Sequence, residues 1–400
     1  MAYPTIISGA TGTQNICSGQ VVVDISDKIY LLEPNAAPLY VLVSKLNKRS
    51  AINTTFSWLE DELNPSWTTV DCATITAADT TIKVSDAIFN KYDVVKNVDS
   101  GEIILVTAVS TTSITAIRNY GDGTYASHAD MTSGQNLVII GSAFEEGSGY
   151  DALATVSTKV AQKTNYLQIF RKSVEITKTL ANTELYGGDD RQYQRKKKGI
   201  ELMRDIERAF LFGAPKIDTT AGNLDKDHAR RTTGGVDYWI STNATAAGGS
   251  LTETEFEGFL RSVMRYGENT KYLFAAPIVL SVISLWAQGK LQMFPKDKTY
   301  GIAITQYVSP HGTVNLVKEL MLENVGAAGA SPTSTDTYGG YAFAIELPEL
   351  TYRYLQNRDV TFETEIQLPG DDSYKDQYIC EIGLEFRHER KHGQLTGVTG

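Results

Sequence analysis

Three features predict an α+β fold with a small inserted all-β unit. A charged helix with a marked start and stop spans 189–212, a Thr-, Val- and Ile-rich stretch runs from about Trp67 to Ile140, and helix and strand patterns alternate after residue 250. The helix is the strongest of these signals. Asp189 and Asp190 follow Gly187 and Gly188, where acids suit the free backbone N–H groups of a helix start, and Gly213 closes the run. Tyr193, Ile200, Met203, Ile206 and Phe210 form a narrow apolar stripe. Arg195 to Lys198, Glu201, Arg204, Asp205, Glu207 and Arg208 cover the remaining circumference. The pattern is that of a strut lying on another surface.

Ahead of it, the first fifty residues predict an extended arm with one or two short helical pieces, because Pro34 and Pro38 prevent a long helix. Its apolar anchors, Ile29, Leu31, Leu39 and Leu42, call for a surface to lie against, such as a neighbouring subunit. From about Trp67 to Ile140, short β-branched runs are broken by turn signals at Asp99–Gly101, Gly121–Gly123 and Ser133–Gly134, as in a compact barrel or sandwich. The flanking segments, FSWLEDEL and YLQIFRKSVEITKTL, suggest two limbs of a long hairpin. Glu60, Asp61 and Glu62 lie on one limb, and Arg171 and Lys172 on the other. Their charges suit pairing across strands or between molecules, and exposed pairs contribute under about 1 kcal/mol each.

Beyond the strut, Thr252 and Glu255 have capping-box spacing and open an amphipathic helix through Phe256, Phe259, Leu260 and Val263. KYLFAAPIVLSVISLWAQ predicts a buried strand running past Pro277 into a helix, and two further strands flank a turn at Pro310–Gly312. The remainder is strand again, with Tyr352, Tyr354, Ile379, Ile382, Leu384 and Phe386 inward; these strands are expected to pack on the long helix.

Four hundred residues with 42% hydrophobic content support sizeable cores. No run of about eighteen apolar residues and no signal-peptide pattern occurs, so neither a membrane contact nor export is expected. Cys17, Cys72 and Cys380 are too few and too scattered for a disulfide framework or a CxxC metal site. A net charge of −10 argues against tight nucleic-acid binding, and the run Arg195 to Lys198 permits only weak contact with a phosphate backbone. There is no phosphate loop, GxGxxG, HExxH or GxSxG motif. His388 and His392 stand four apart without a Cys partner and suit surface positions better than metal ligation; Asp225, Asp227 and His228 suit a solvated loop, and Asp371 and Asp372 a turn. No catalytic residue, cofactor site or metal site is assigned, and no enzyme activity is expected.

The order of parts resembles the major capsid (head) proteins of tailed bacteriophages with the HK97-type fold. The resemblance rests on WLEDEL at 58–63, NYLQIFRKSVEIT at 165–177 and NTELYGGDDRQYQRKKKGIELMRDIERAFLFG at 182–213, and is nearest to the subgroup with a β insertion in the extended loop. It implies an N-terminal arm at 1–44, an extended loop at 45–67 and 143–170, the β insertion at 68–142, a peripheral domain at 171–250 and 346–400 with a spine helix at 189–212, and an axial domain at 251–345. It further implies a virion protein, made in the host bacterial cytoplasm, that self-assembles as hexamers and pentamers into an icosahedral shell around double-stranded DNA. Its implied partners are a portal protein, decoration proteins and a separate scaffolding protein, since the chain opens directly on the arm. On this resemblance Glu60, Asp61, Glu62, Arg171 and Lys172 are expected at contacts between subunits. Arg195, Lys196, Lys197 and Lys198 are expected to face the lumen or a neighbour. Competing readings are an encapsulin-type compartment and a hydrolase with a β binding module.

Overall fold

The computed structural model describes residues 37–72, 74–121, 130–147, 158–184, 188–220, 228–290, 294–299, 302–322 and 339–399, with Gly222 and Lys226. The chain divides into two compact units, Leu59–Lys163 and the remainder. Most of the expected arm, including Ile29 and Leu31, together with Cys17, Gly187, Asp225 and Asp227, lies outside the described residues.

In the larger unit the long helix spans Asp190–Phe212, and the Asp189 side chain accepts the N–H groups of Arg191 and Gln192. Its buried face differs from the expected stripe. Leu202, Ile206, Phe210 and Leu211 are buried, whereas Met203 is exposed, because apolar burial begins only beyond Gly199 and follows the i, i+4 line from Leu202. Glu207, expected among the solvated charges, is fully buried.

Beneath the helix lies a five-stranded sheet. Its centre is the strand Ser373–Phe386, which pairs antiparallel with Gln168–Thr177 on one side and with Leu350–Leu355 and Thr361–Glu363 on the other. Lys48–Ala51 adds in parallel at the edge. A short helix, Pro38–Leu46, precedes it, and Pro38 opens that helix where a missing N–H costs nothing. Leu39 and Leu42, expected to need a foreign surface, are buried in the core of their own chain with Phe210 and Tyr352.

A mixed seven-stranded sheet runs in the order Ala244–Ser250, Gly393–Thr399, Ala342–Ile345, Thr270–Ala275, Gly312–Lys318, Ile302–Ser309 and Phe294–Thr299. Its first two strands come from segments assigned by sequence to the peripheral domain, and they pair with each other in parallel rather than joining the sheet under the long helix. The helix Glu253–Val263 carries both halves of its capping box and buries Phe256, Phe259, Leu260 and Val263. The helix Pro277–Lys290 follows the strand Thr270–Ala275, with proline again in the first turn.

The smaller unit holds a six-stranded antiparallel sheet in the order Trp67–Thr69, Asn136–Ser142, Asp93–Asn97, Ile103–Ser110, Ser113–Ile117 and Thr81–Lys83. Alternation of residues along each strand builds its own core from Val95, Ile104, Val106, Ile114 and Leu137. Among the described residues one ion pair enters that interior. Arg118 holds Glu102 through two bonds of 2.6 and 2.7 Å and donates to the Thr76 carbonyl at 3.2 Å, so the buried guanidinium and carboxylate satisfy each other.

The expected hairpin is shorter than the sequence suggests. Thr55–Glu60 pairs with Ala161–Tyr166, and at Leu167 the second limb leaves for the five-stranded sheet. Two buried side chains impose the break. Leu167 is fully buried, and Asn165 donates to the carbonyls of Gly234 (3.1 Å) and Leu384 (2.7 Å) while accepting the Gly234 N–H (2.7 Å). Arg171 and Lys172 are consequently registered against Ile379 and Tyr378, and not against the acids at 60–62.

Candidate functional site

Asp61 accepts the Thr158 hydroxyl at 3.1 Å, and the Glu62 carbonyl accepts it at 2.6 Å, so the acidic run is anchored to the returning limb by a polar side chain. Glu60 is half-buried; Asp61 and Glu62 are exposed. Leu59 and Leu63 on either side are 70% and 95% exposed, which gives this short segment both apolar and acidic presentation to solvent.

The two basic residues of the other limb diverge, as successive residues of a strand must. Lys172 reaches the long helix and pairs with Asp205 at 2.6 Å. Arg171 is exposed and lines an open cavity of about 590 Å³ with Asn357, Arg358, Thr361, Glu363 and Gln377. Arg358 is already bonded to Glu381 at 3.1 Å. Among the described residues no carboxylate pairs with Arg171.

The basic run of the helix also divides. Arg195 bonds Asp376 at 2.9 Å and sets its guanidinium 5.1 Å from the centre of the Phe362 ring. Lys198 pairs with Glu201 at 2.6 Å. Lys196 is exposed and Lys197 half-buried, and among the described residues neither has an ion pair. Two of the four charges are therefore neutralised within the chain.

Sequence reasoning missed Asp376. It is 1% exposed and accepts a two-pronged bond from Arg191 (2.9 and 2.8 Å), the bond from Arg195, and the Glu365 N–H at 3.0 Å. These donors hold its carboxyl far below the usual carboxylate range despite burial, which acts in the opposite direction. The available signal was alternation: Tyr374, Asp376 and Tyr378 share one strand face, an acid framed by aromatics.

His392 corrects a second expectation. It is fully buried, not superficial; its Nδ1 accepts the Glu346 N–H at 3.2 Å, and its Nε2 donates to the Arg387 carbonyl at 3.1 Å. Burial, helped by the nearby Lys271 and Lys391 and opposed by the bond to the Arg387 carbonyl, pushes its pKa down to about 3 and keeps the ring neutral. Beside it, Lys271 is buried on Glu346 (2.6 Å) and on the carbonyls of Tyr266 and Lys391. His228 is exposed, and Asp371 and Asp372 lie beside the turn at Gly370, where Lys178 meets Asp372 at 3.6 Å. Among the described residues no group of three His, Cys, Asp or Glu side chains is placed to hold a metal.

A family model described as the SU10 major capsid protein matches residues 6–399. A major capsid protein of Escherichia phage Phieco32 is 32% identical over 136 residues, 30% of this chain and 36% of that protein, so the match spans about a third of that relative's length. A major capsid protein of Pseudomonas phage PaMx41 is 23% identical over 354 residues, covering 85% of this chain and 80% of that one. Among solved structures, the capsid of Myoviridae phage XM1 aligns over 96% of this chain and 98% of its own at 9% identity, with a TM-score of 0.47.

Proposed function

The chain belongs to the SU10 major capsid protein family and is a major capsid protein of a tailed phage, and we propose that it assembles through hexamers and pentamers into an icosahedral shell around packaged double-stranded DNA. The family match over 6–399 carries this reading. The proposed arrangement is the HK97-type order of parts: arm, extended loop with a β insertion, peripheral domain with its spine helix, and axial domain. Assembly would take place in the host bacterial cytoplasm with a portal protein and a scaffolding protein, and decoration proteins would add outside. Negative-stain microscopy of the expressed full chain tests the core of the proposal: closed shells are expected, and a soluble monomer at assembly concentrations would overturn it.

We place the lateral contact at the acidic segment Glu60–Glu62 of one subunit and Arg171 of another. The support is an exposed guanidinium beside an open cavity and the exposed acids Asp61 and Glu62 in a segment flanked by Leu59 and Leu63. Lys172 contributes less, since Asp205 already neutralises it. Arg171→Glu is expected to reduce shell yield at least several-fold at low salt, whereas an unchanged yield removes Arg171 from the contact. Lys196 and Lys197 are the members of the basic run still available to face the lumen or a neighbour; weak, salt-sensitive contact with DNA is the expected outcome there.

A further inference from the structure

The helix Pro38–Leu46 begins without a side-chain cap of its own: Ala37 stands at the capping position and Pro38 has no N–H. Its free donors are met from far along the chain. Glu207 of the long helix accepts Leu39 N–H through Oε1 at 2.8 Å and Tyr40 N–H through Oε2 at 2.6 Å. A second buried carboxyl group, Glu319, meets Glu207. Glu319 Oε1 accepts Met321 N–H at 2.9 Å, and its Oε2 is buried without a donor. Two carboxylates in contact away from water repel each other, and a proton held between them supplies the partner that Glu319 Oε2 lacks.

Two basic groups on the surrounding elements pair with other acids. On the long helix, Arg208 pairs with Asp205 at 3.3 Å. Lys45 stands at the far end of the short helix, Lys318 is exposed, and Lys271 on the neighbouring strand Thr270–Ala275 is held by Glu346. Tyr40 presents only its N–H to Glu207, and burial pushes its hydroxyl up to about 12.

We propose that Glu207 and Glu319 form a proton-held clasp, in which one shared proton keeps the start of the Pro38–Leu46 helix on the long helix and loss of that proton releases it. Burial raises both carboxyl groups; the neighbouring Glu319 raises Glu207 further, well above the ordinary range, while the bond from Glu207 works against burial at Glu319. A carboxyl raised in the folded state contributes stability that is fully present below its unfolded pKa and is lost as pH rises through its folded pKa. Release is therefore an alkaline event.

Hydrogen exchange on the full chain, followed from about pH 6 to about pH 10 and corrected for base catalysis, tests the clasp. Protection of the 41–46 amides is expected to fall by up to about tenfold per pH unit, the slope of one linked proton, while Ser373–Phe386 stays level. In Glu319→Gln, which keeps hydrogen bonding without charge, the 41–46 profile is expected to be level. A level profile in the unaltered chain, or the same fall in the variant, overturns the proposal. The infrared carbonyl band of a buried protonated carboxyl provides a second reading in the unaltered chain: it should be present at neutral pH and lost at alkaline pH, and its absence at neutral pH also overturns the clasp.

Discussion

The two halves of the long helix are fixed to the same sheet by different chemistry. From Asp190 to Lys198 the contacts are ionic and aromatic: Arg191 and Arg195 converge on Asp376, with Arg191 4.6 Å from the centre of the Tyr374 ring and Arg195 over Phe362. From Glu201 to Phe212 the buried contacts are mainly apolar, through Leu202, Ile206, Phe210 and Leu211, with the partly exposed Lys172–Asp205 pair at their margin. The central strand changes in parallel, from Tyr374, Asp376 and Tyr378 to Cys380, Ile382, Leu384 and Phe386 on one face. Charge along a helix is thus not a reliable sign of a solvated surface. Arginine stems cover aromatic rings while their heads meet a buried acid, and that half of the helix packs without an apolar stripe.

The sharpest separation of the two halves comes from truncating each at its centre. Phe210→Ala removes a fully buried ring that meets Tyr40 and Tyr352, and a loss of about 3–5 kcal/mol is expected, insensitive to salt. Asp376→Ala takes from Arg195 its carboxylate partner and leaves Arg191 only the exposed Glu365 at 3.8 Å. Its expected cost is about 3 kcal/mol, smaller because both arginines retain some access to water. Denaturant titration of the full chain with matched controls checks both. The two halves also differ in acid. Because Asp376 is depressed in the folded state, its contribution is present above the unfolded carboxylate range near pH 4 and is lost as pH falls below it. Asp376→Ala should flatten that acid limb and Phe210→Ala should leave it intact; equal limbs in the two variants would mean that the halves are not distinct.

Signals local to one segment were legible in the sequence, and contacts between distant segments were not. The Asp189 cap, the stop at Gly213 and the Thr252–Glu255 capping box each lie within a few residues and appear where the spacing places them. Glu207 gave no local sign, because an acid in a charge-rich helix looks solvated; the clue lay at Ala37 and Pro38, a helix start lacking a cap. Likewise the acids at 60–62 and the bases at 171–172 face each other only if the limb is continuous. The burial of Asn165 and Leu167 redirects it, and that burial depends on Gly234 and Leu384, far away in sequence. Of the candidate contact residues, the sequence located the charges but not their partners, so Lys172 and Arg195 proved to be occupied within the chain and Arg171 did not.

The smallest expected effect lies at the junction of the halves. Gly199 sits inside the helix, where glycine is less favourable than alanine by about 0.8–1 kcal/mol. A Cβ added there would meet the Tyr378 ring no closer than 3.6 Å, an ordinary contact. Gly199→Ala is therefore expected to stabilise the subunit by up to about 1 kcal/mol, read as a small rise in the denaturation midpoint. If the two halves behave as one rigid rod, the gain should appear in full in the isolated subunit and in the assembled shell alike. A gain in the subunit with a loss of shell yield would show that assembly uses flexure at this position, where the ionic and apolar segments meet and where helix propensity would by itself favour alanine. Destabilisation of the subunit would break the comparison differently, since it would mean that Tyr378 is held too rigidly by Phe362, whose ring centre lies 4.6 Å away, to accept an ordinary contact.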